Sequence, residues 1–379
     1  MTSSANSEIL LHTSEFQLQR DGRFLTAELF VPHRVLSTSV CNGGQREDLR
    51  FLINHQSCEG TDHRERHTVM TANGLDKYHE SVCMDLRLAS YEVALMGTAA
   101  NMNYAAIVQA SDLDVQVTAV VTAGVQGNAA CAGDPAAWRE TEVGWRKVAN
   151  LEGTINTLLL INRSLSEAAL ARSVVTMTEG KTAALQRLAV RSLYSKEFAT
   201  GTGTDQYCIA APLDRGQPLT SSSPHVKLGE LIGTAVRDAT MEALRWQNGL
   251  EASSTRILFR ALKPFGLLES TFLTDIAPFL SERDLELLSK NLNSVVYEPK
   301  VSAAAFAMAA VLDRIRYGSL PASAARDTFR QHAAIMATSL SAKPQQWPDF
   351  FTRLTQADPE HPTATILAAI ALGWSEKWR

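Results

Sequence analysis

The chain has 379 residues, enough to bury a sizeable core and to hold one large domain with a smaller one. Lys and Arg number 36 against 40 Asp and Glu, a formal charge of −4, so no net basic field points to nucleic acid. Charged residues make up 20% and the apolar set 45%, an ordinary globular composition. The longest late apolar stretch, Ala364 to Trp374, falls well short of the ~20 residues of a spanning helix, so no membrane is expected as partner. The opening residues contain no apolar run of signal-peptide length. Five widely spaced cysteines without a CxxC point to a reducing cytoplasm rather than a disulfide scaffold.

Residues 1–20 are polar and predicted to fray. Arg23 to Val31 and Arg34 to Val40 are rich in strand formers and are separated by Pro32 and His33. They predict a hairpin or two successive strands. Cys41, Asn42, Gly43 and Gly44 follow at a strand end, where a backbone turns sharply or approaches a ligand. Between Asn54 and His79 the composition is rich in metal-ligating types. His55, Cys58, His63 and His67 are candidates for zinc, with the two last at i, i+4 spacing, although no CxxC or HExxH accompanies them. A solvated charged loop is the alternative.

Asp85 to Ala106 is Ala/Met-rich and predicts helix core and a loop. Val115 to Thr122 alternates and is β-branched, the clearest strand in the chain. It runs into the glycine-bearing loop Ala123 to Asn128, a place where α/β folds commonly carry ligands. Cys131 to Val148 is polar with two tryptophans, Trp138 and Trp145, which read as half-buried anchors.

The stretch from Gly153 to Asp205 predicts a strand, a capped helix and a polar Gly/Thr loop. Thr154 to Ile161 is a short apolar run suited to a buried strand. Ser166 is a candidate N-cap, with Ser164 and Glu167 an alternative capping box. Leu170, Val174, Met177, Leu185 and Leu188 recur near the helical period and define a core face. Glu179 and Lys181 leave that helix on nearly opposite sides, while Thr182 lies beside Thr178 and Glu179. Gly180 between them costs roughly 1 kcal/mol relative to Ala. The loop Thr200-Gly201-Thr202-Gly203-Thr204-Asp205 brings hydroxyls and a carboxylate onto permissive backbone. It precedes a strand, Gln206 to Ala211, so it is neither a P-loop nor a dinucleotide fingerprint.

After the turn Pro212 to Pro224, a second helix is predicted from Val226 to Gln247, with Gly229 and Gly233 allowing close packing. His225 and Lys227 sit at its start, where free N–H groups favour anions. Residues 251–379 read as helices broken by prolines. Ser281 and Asp284 form a candidate capping box, and Ala303 to Ile315 is alanine-rich and amphipathic.

The segments GTINTLLLIN, ALARSVVTMTEGKTAALQ, LAVRSLYS, ATGTGTD and PHVKLGELIGTAV, in that order, resemble the adenosylcobinamide amidohydrolases of corrinoid salvage. SVCNGG, MGTAA and VTAGVQGNAACAGDP fit the same pattern upstream. The resemblance spans roughly residues 20–250, and the His-rich stretch departs from the shorter family pattern. It implies hydrolysis of the amide joining the aminopropanol arm to the corrin ring, giving adenosylcobyric acid. The cobalt then belongs to the substrate and no other cofactor is required; a further metal ion is left open. A corrinoid-binding protein without hydrolysis, or a metal-dependent amidohydrolase acting on another amide, are the alternatives.

No GxSxG elbow is present, and a cysteine nucleophile is disfavoured. Inferred from residue type, water attacks with Asp205 or Glu179 as base, and His225 protonates the amine. Lys181, Lys227 and the N–H groups of the Gly201 to Gly203 loop hold the oxyanion. Asn42, Gly43, Gly44, Thr98, Asn128, Asn156, Thr182, Thr202 and Thr204 line the substrate site, and Thr202 or Thr204 is the rival nucleophile. The expected fold is an α/β or α+β layered domain with a mixed sheet over residues 21–250, then an all-α domain over 251–379 that packs, dimerises or acts as a lid.

Overall fold

A computed structural model describes residues 7–58, 74–136, 138–141, 144–147 and 153–379. The chain divides into two compact units, Met1–Glu251 and Ala252–Arg379. The first holds mixed sheets and the second is helical, as the sequence predicts.

In chain order the first unit contains β1 (Glu8–His12), β2 (Phe16–Asp21), β3 (Phe24–Leu29), β4 (His33–Ser37), β5 (Gly44–Arg46), β6 (Phe51–Gln56), helix α1 (Leu75–Leu86), β7 (Val93–Thr98), β8 (Ala106–Asp112), β9 (Val115–Ala123), β10 (Ala129–Ala130), β11 (Trp138–Thr141), β12 (Gly144–Lys147), β13 (Ile155–Ile161), α2 (Glu167–Arg187), β14 (Gly201–Thr202), β15 (Gln206–Pro212) and α3 (Lys227–Asn248). One sheet runs β1-β2-β3-β6-β7 and a second β5-β4-β15-β13-β9-β8. Both are mixed, because β6–β7 and β13–β15 pair parallel while their other neighbours are antiparallel.

The sheets pack face to face. Leu18, Leu25, Leu52 and Met96 from the first meet Val35, Val120, Leu158 and Cys208 from the second. The outer face of the second sheet, through Ile155, Leu159 and Ile209, buries against α2 and α3. Val82 and Cys83 of α1 cover the outer face of the first sheet. β13 is thus walled on both faces and all seven of its residues are buried, which is why Leu158 to Ile161 run apolar without alternation. Two buried asparagines cross between the sheets. Asn156 Nδ2 donates to Asn54 Oδ1 at 2.8 Å, and Asn54 Nδ2 donates to Thr122 Oγ1 at 2.8 Å.

Ser166 caps α2 by accepting from Ala169 N at 3.2 Å. Ser164 instead donates to Leu213 O, so the alternative box is not formed. Gly180 has a packing reason: a β-carbon there would lie 2.9 Å from Gly233 O of α3, so the two helices cross at this glycine. Gly229 is tight against Ser223 O in the same way, whereas a β-carbon on Gly233 would meet nothing within 4 Å.

Three local expectations fail. Residues 8–21 do not fray but form β1 and β2, because Phe16 and Leu18 are buried at alternate positions of an edge hairpin. β3 and β4 are successive strands but not a hairpin, since each belongs to a different sheet. The middle of the Ala/Met-rich stretch is β7, where Val93, Ala94, Leu95 and Met96 are all buried between layers.

The second unit contains α4 (Leu258–Leu262), α5 (Phe272–Ile276), α6 (Glu282–Lys290), α7 (Asn293–Val296), α8 (Pro299–Arg316), α9 (Ala322–Ser341), α10 (Trp347–Arg353) and α11 (Pro362–Lys377). Trp374, Phe272, Phe329 and Phe350 are its largest fully buried side chains. Ser281 caps α6 by accepting from Asp284 N at 3.1 Å. Pro299 and Pro362 open α8 and α11 at the turn where a missing N–H costs nothing. Among the described residues no helix is long and apolar enough to cross a membrane.

Candidate active site

The parallel pair β13 and β15 is joined by α2, so the C-terminal half of α2 returns to the end of the sheet where both strands begin. Lys181 on α2 and Asp205, one residue before β15, meet there in an ion pair with side chains 14% and 17% exposed. Asp205 Oδ1 accepts from Ile155 N at 3.0 Å and from the Thr202 hydroxyl at 2.5 Å. Its Oδ2 accepts from Thr202 N at 3.1 Å and from Lys181 Nζ. Four donors fill the four acceptor positions of the carboxylate. Gly201 makes this possible, because a β-carbon there would sit 2.3 Å from Asp205 Oδ2 and 2.7 Å from Lys181 Nζ.

These groups form one wall of a cleft of about 550 Å³. Cys131, Asp134, Pro135 and Tyr194 line its other side. The antiparallel partner β9 delivers that side, since its C-terminal end lies beside the start of β13. Short pairing of β10 with β14 then fastens the two walls, and Ala132 N donates to Thr200 Oγ1 at 2.9 Å. Asp134 accepts from Cys131 N at 2.7 Å and Ser192 Oγ at 2.5 Å. Burial works to raise its pKa, but the hydrogen bonds from Ser192, Ser195 and Cys131 N prevail and hold it below the usual carboxylate value. Burial and the nearby Asp134 push the Cys131 thiol up, so it stays protonated at neutral pH. Among the described lining residues Lys181 is the cation.

The predicted site residues separate into three sets. Lys181, Gly201, Thr202, Gly203 and Asp205 line this cleft together. Thr182 and Thr204 support it: Thr182 Oγ1 donates to Thr200 O at 3.1 Å and Thr204 Oγ1 to Gly153 O at 2.7 Å. The N–H of Thr202 is committed to Asp205 and is not free for an oxyanion.

A second set is folded into the protein rather than presented to a ligand. Asn156 and Asn128 are fully buried. Asn128 donates to Gly153 O at 2.9 Å and accepts from Tyr194 OH at 3.1 Å. Asn42, at φ 57, donates Nδ2 to Ser90 O and Val93 O at 2.7 and 2.9 Å, which docks its loop onto the start of β7. A β-carbon on Gly43 would lie 2.0 Å from Ser39 O, and Gly44 takes φ 77, so both glycines serve the turn. Thr98 is buried and accepts from Ala100 N at 3.0 Å.

The third set is elsewhere. α3 starts only after β15 has crossed the sheet, and the Asp112–Val115 end of β8 and β9 lies near Lys227. His225 and Lys227 therefore sit toward the opposite end of the sheet from Asp205. His225 is exposed, and Lys227 pairs with Glu230 at 2.8 Å. Glu179 is exposed on α2 and does not line the cleft. The expected convergence of Glu179, Asp205 and His225 on one bond is thus not met.

His55 lies at the end of β6, against α1. It hydrogen-bonds Tyr78 OH at 2.6 Å and stacks on Phe24 with centroids 4.5 Å apart. Cys58 is half-buried, and among the described residues no group of three or more His, Cys, Asp or Glu could hold a metal ion. His63 and His67 lie outside the described residues, as do the side chains of Trp138 and Trp145.

Sequence reasoning missed Tyr194, Asp134 and Gln206. Asp134 and Tyr194 stood inside quoted segments, but nothing local marks two loops some 60 residues apart as neighbours. Gln206 accepts from Gly97 N at 2.9 Å and lines a second, smaller cavity of about 150 Å³ with Cys41, Tyr78 and His79. Burial and then Asp76, which accepts from the thiol at 3.2 Å, push Cys41 up to about 11.

A family model described as adenosylcobinamide amidohydrolase matches residues 9–252. An uncharacterized protein of Methanocaldococcus jannaschii is 33% identical over 183 residues, covering 46% of this chain and 71% of that protein. The chain belongs to the adenosylcobinamide amidohydrolase family.

Proposed function

We propose that this member of the adenosylcobinamide amidohydrolase family hydrolyses the amide between the aminopropanol arm and the corrin ring of adenosylcobinamide. The products are adenosylcobyric acid and aminopropanol. One observation carries the reading beyond the family match: Lys181, Thr202 and Asp205 are bonded to one another on the wall of a cleft of about 550 Å³. A volume in this range suits part of a ligand the size of a corrinoid, so one arm enters while the macrocycle lies across the mouth. The cobalt belongs to the substrate, and the scheme calls on no further cofactor.

Thr202 Oγ1 already donates to Asp205 Oδ1 at 2.5 Å. As that oxygen bonds to the amide carbon, Asp205 takes its proton, and the Lys181 ammonium offsets the charge growing on the carbonyl oxygen. The C–N bond then breaks and the proton passes from Asp205 to the departing amine. Water attacks the resulting Thr202 ester, gives its proton through Asp205 back to Thr202 Oγ1, and frees the carboxylic acid. Direct attack of water on the amide would first require Asp205 to release one of its four donors, whereas the Thr202 hydroxyl is in place.

The test is to incubate the purified protein with adenosylcobinamide and measure aminopropanol. Release is expected, with Thr202→Ser within about tenfold of wild type and Thr202→Val slower by about 10²-fold or more. Corrinoid binding without release would make this a binding protein. Wild-type turnover in Thr202→Val would return the attack to water.

A further inference from the structure

Asp134, on the other side of the cleft from Lys181, has no part in the scheme above. We propose that it is a further catalytic residue, a carboxylate that receives the scissile nitrogen as that nitrogen becomes positively charged. Three neutral donors hold it. Cys131 N and Ser192 Oγ bond Oδ2 at 2.7 and 2.5 Å, and Ser195 adds a third hydrogen bond. A carboxylate offers roughly four acceptor positions, so one is left for a ligand. Asp134 is only partly buried and lines the cleft itself. Burial and then the Asp134 charge raise the pKa of both Cys131 and Tyr194, its neighbours on the same wall.

The balance of charge in the cleft calls for a cation at this place. Lys181 neutralises Asp205, with which it is paired. Asp134 is held ionised by uncharged groups, and among the described residues no Lys or Arg pairs with it. A positive nitrogen on the ligand completes the pair, and such a charge-assisted hydrogen bond is roughly twice as strong as a neutral one. Position is fixed as well. Ala132 N donates to Thr200 Oγ1 and Leu193 N to Ala129 O, each at 2.9 Å, while Ala129 pairs with Thr202. These interlocked segments set Asp134 relative to Thr202 before a ligand arrives, the condition under which a fixed charge stabilises a transition state best.

The assignment rests on the hydrolase reading and gives the leaving nitrogen its partner. Once Thr202 Oγ1 has bonded to the amide carbon, the nitrogen is no longer conjugated and carries a lone pair. Asp134 accepts from its N–H, which turns that lone pair toward the proton on Asp205. The nitrogen takes this proton and, before the C–N bond breaks, bears two hydrogens and a positive charge that Asp134 stabilises. The electron pair of the C–N bond then passes to nitrogen, the amine departs neutral, and water protonates it to the ammonium ion. An ester has no N–H, and its oxygen leaves without first becoming a cation, so ester cleavage bypasses Asp134.

The test compares two substrates of the full-length protein: adenosylcobinamide, and the ester in which 1,2-propanediol replaces aminopropanol. Asp134→Asn keeps the shape of the side chain and removes its charge. It should slow amide turnover by about 10²-fold while ester turnover stays within about threefold of wild type, which also shows that the variant folds. Equal losses on both substrates, or amide turnover near wild type, overturn the assignment. A second measurement needs no variant: calorimetry is expected to show saturable binding of 1-amino-2-propanol to the wild-type protein and none of 1,2-propanediol. Binding of both alike, or of neither, overturns the assignment too. If no aminopropanol is released from adenosylcobinamide, the hydrolase reading fails by itself. Amine binding that Asp134→Asn abolishes then still leaves an ammonium subsite, and amine binding unchanged in that variant removes the subsite as well.

Discussion

The two ends of the β13–β15 sheet use polar side chains in opposite ways. Where these strands begin, Lys181, Thr202 and Asp205 are bonded to one another beneath a cleft, with Asn156 buried alongside. Where they end, His225 is exposed and Lys227 holds only the equally solvated Glu230. Both sets look chemical in one dimension. The difference follows from the crossover: a helix joining two parallel strands brings its last turns and the start of the next strand together, and sends whatever follows that strand to the far end. A polar group restrained by several partners is a better catalytic candidate than one at a helix start surrounded by water.

The largest contrast is expected in turnover. Lys181→Met should lower aminopropanol release by about 10²- to 10³-fold, the range for losing one group that stabilises a developing oxyanion. His225→Ala and Lys227→Ala should stay near wild type. Equal losses at the two ends would break the comparison and restore a role for His225.

Stability gives the next contrast, at the crossing that holds α2 in position. Gly180→Ala forces a β-carbon against Gly233 O and should cost about 1–3 kcal/mol. Gly233→Ala meets open space and should be neutral or gain up to about 1 kcal/mol of helix propensity. Chemical denaturation of both variants measures the difference, and equal effects would mean the helices do not touch at this point.

The smallest effect concerns the thiols at the cleft end. Cys41 is raised to about 11 by burial and Asp76, so its neutral form persists through physiological pH and the reactive thiolate appears only in alkali. Alkylation by iodoacetamide should therefore be slow at pH 8 and accelerate toward pH 11. Asp76→Asn should hasten it, and fast labelling of Cys41 at pH 7 would contradict the assignment.

Elements with strong local signals were legible in the sequence: the buried β13 run, the alternating β9, the Ser166 and Ser281 caps and the proline-opened helices of the second unit. The candidate site was half legible. Lys181, Thr202 and Asp205 stand within 25 residues of one another and share a helix and the loop after it. The misassigned residues share a different property. Asn42, Thr98, Asn128 and Asn156 are polar types that look like ligand contacts, but their hydrogen bonds close inward on backbone groups and on the side chains of Asn54 and Tyr194. Hydrogen-bond capacity belongs to the residue, whereas the direction in which it is spent depends on burial.

By itself the sequence determined the most strongly patterned elements, β9, β13, α2 and α3 among them, the change to an all-helical second unit, and the family. Those properties arise from hydrophobic period, capping and turn chemistry within a few residues. Only the tertiary structure decided that the Thr/Gly loop closes on Lys181 while His225 lies at the other end, that Gly180 is a helix crossing, and that Asp134 and Thr202 line one cleft. Each of these depends on strand order and parallel or antiparallel sense, which are set by contacts between residues distant in the chain and leave no local trace.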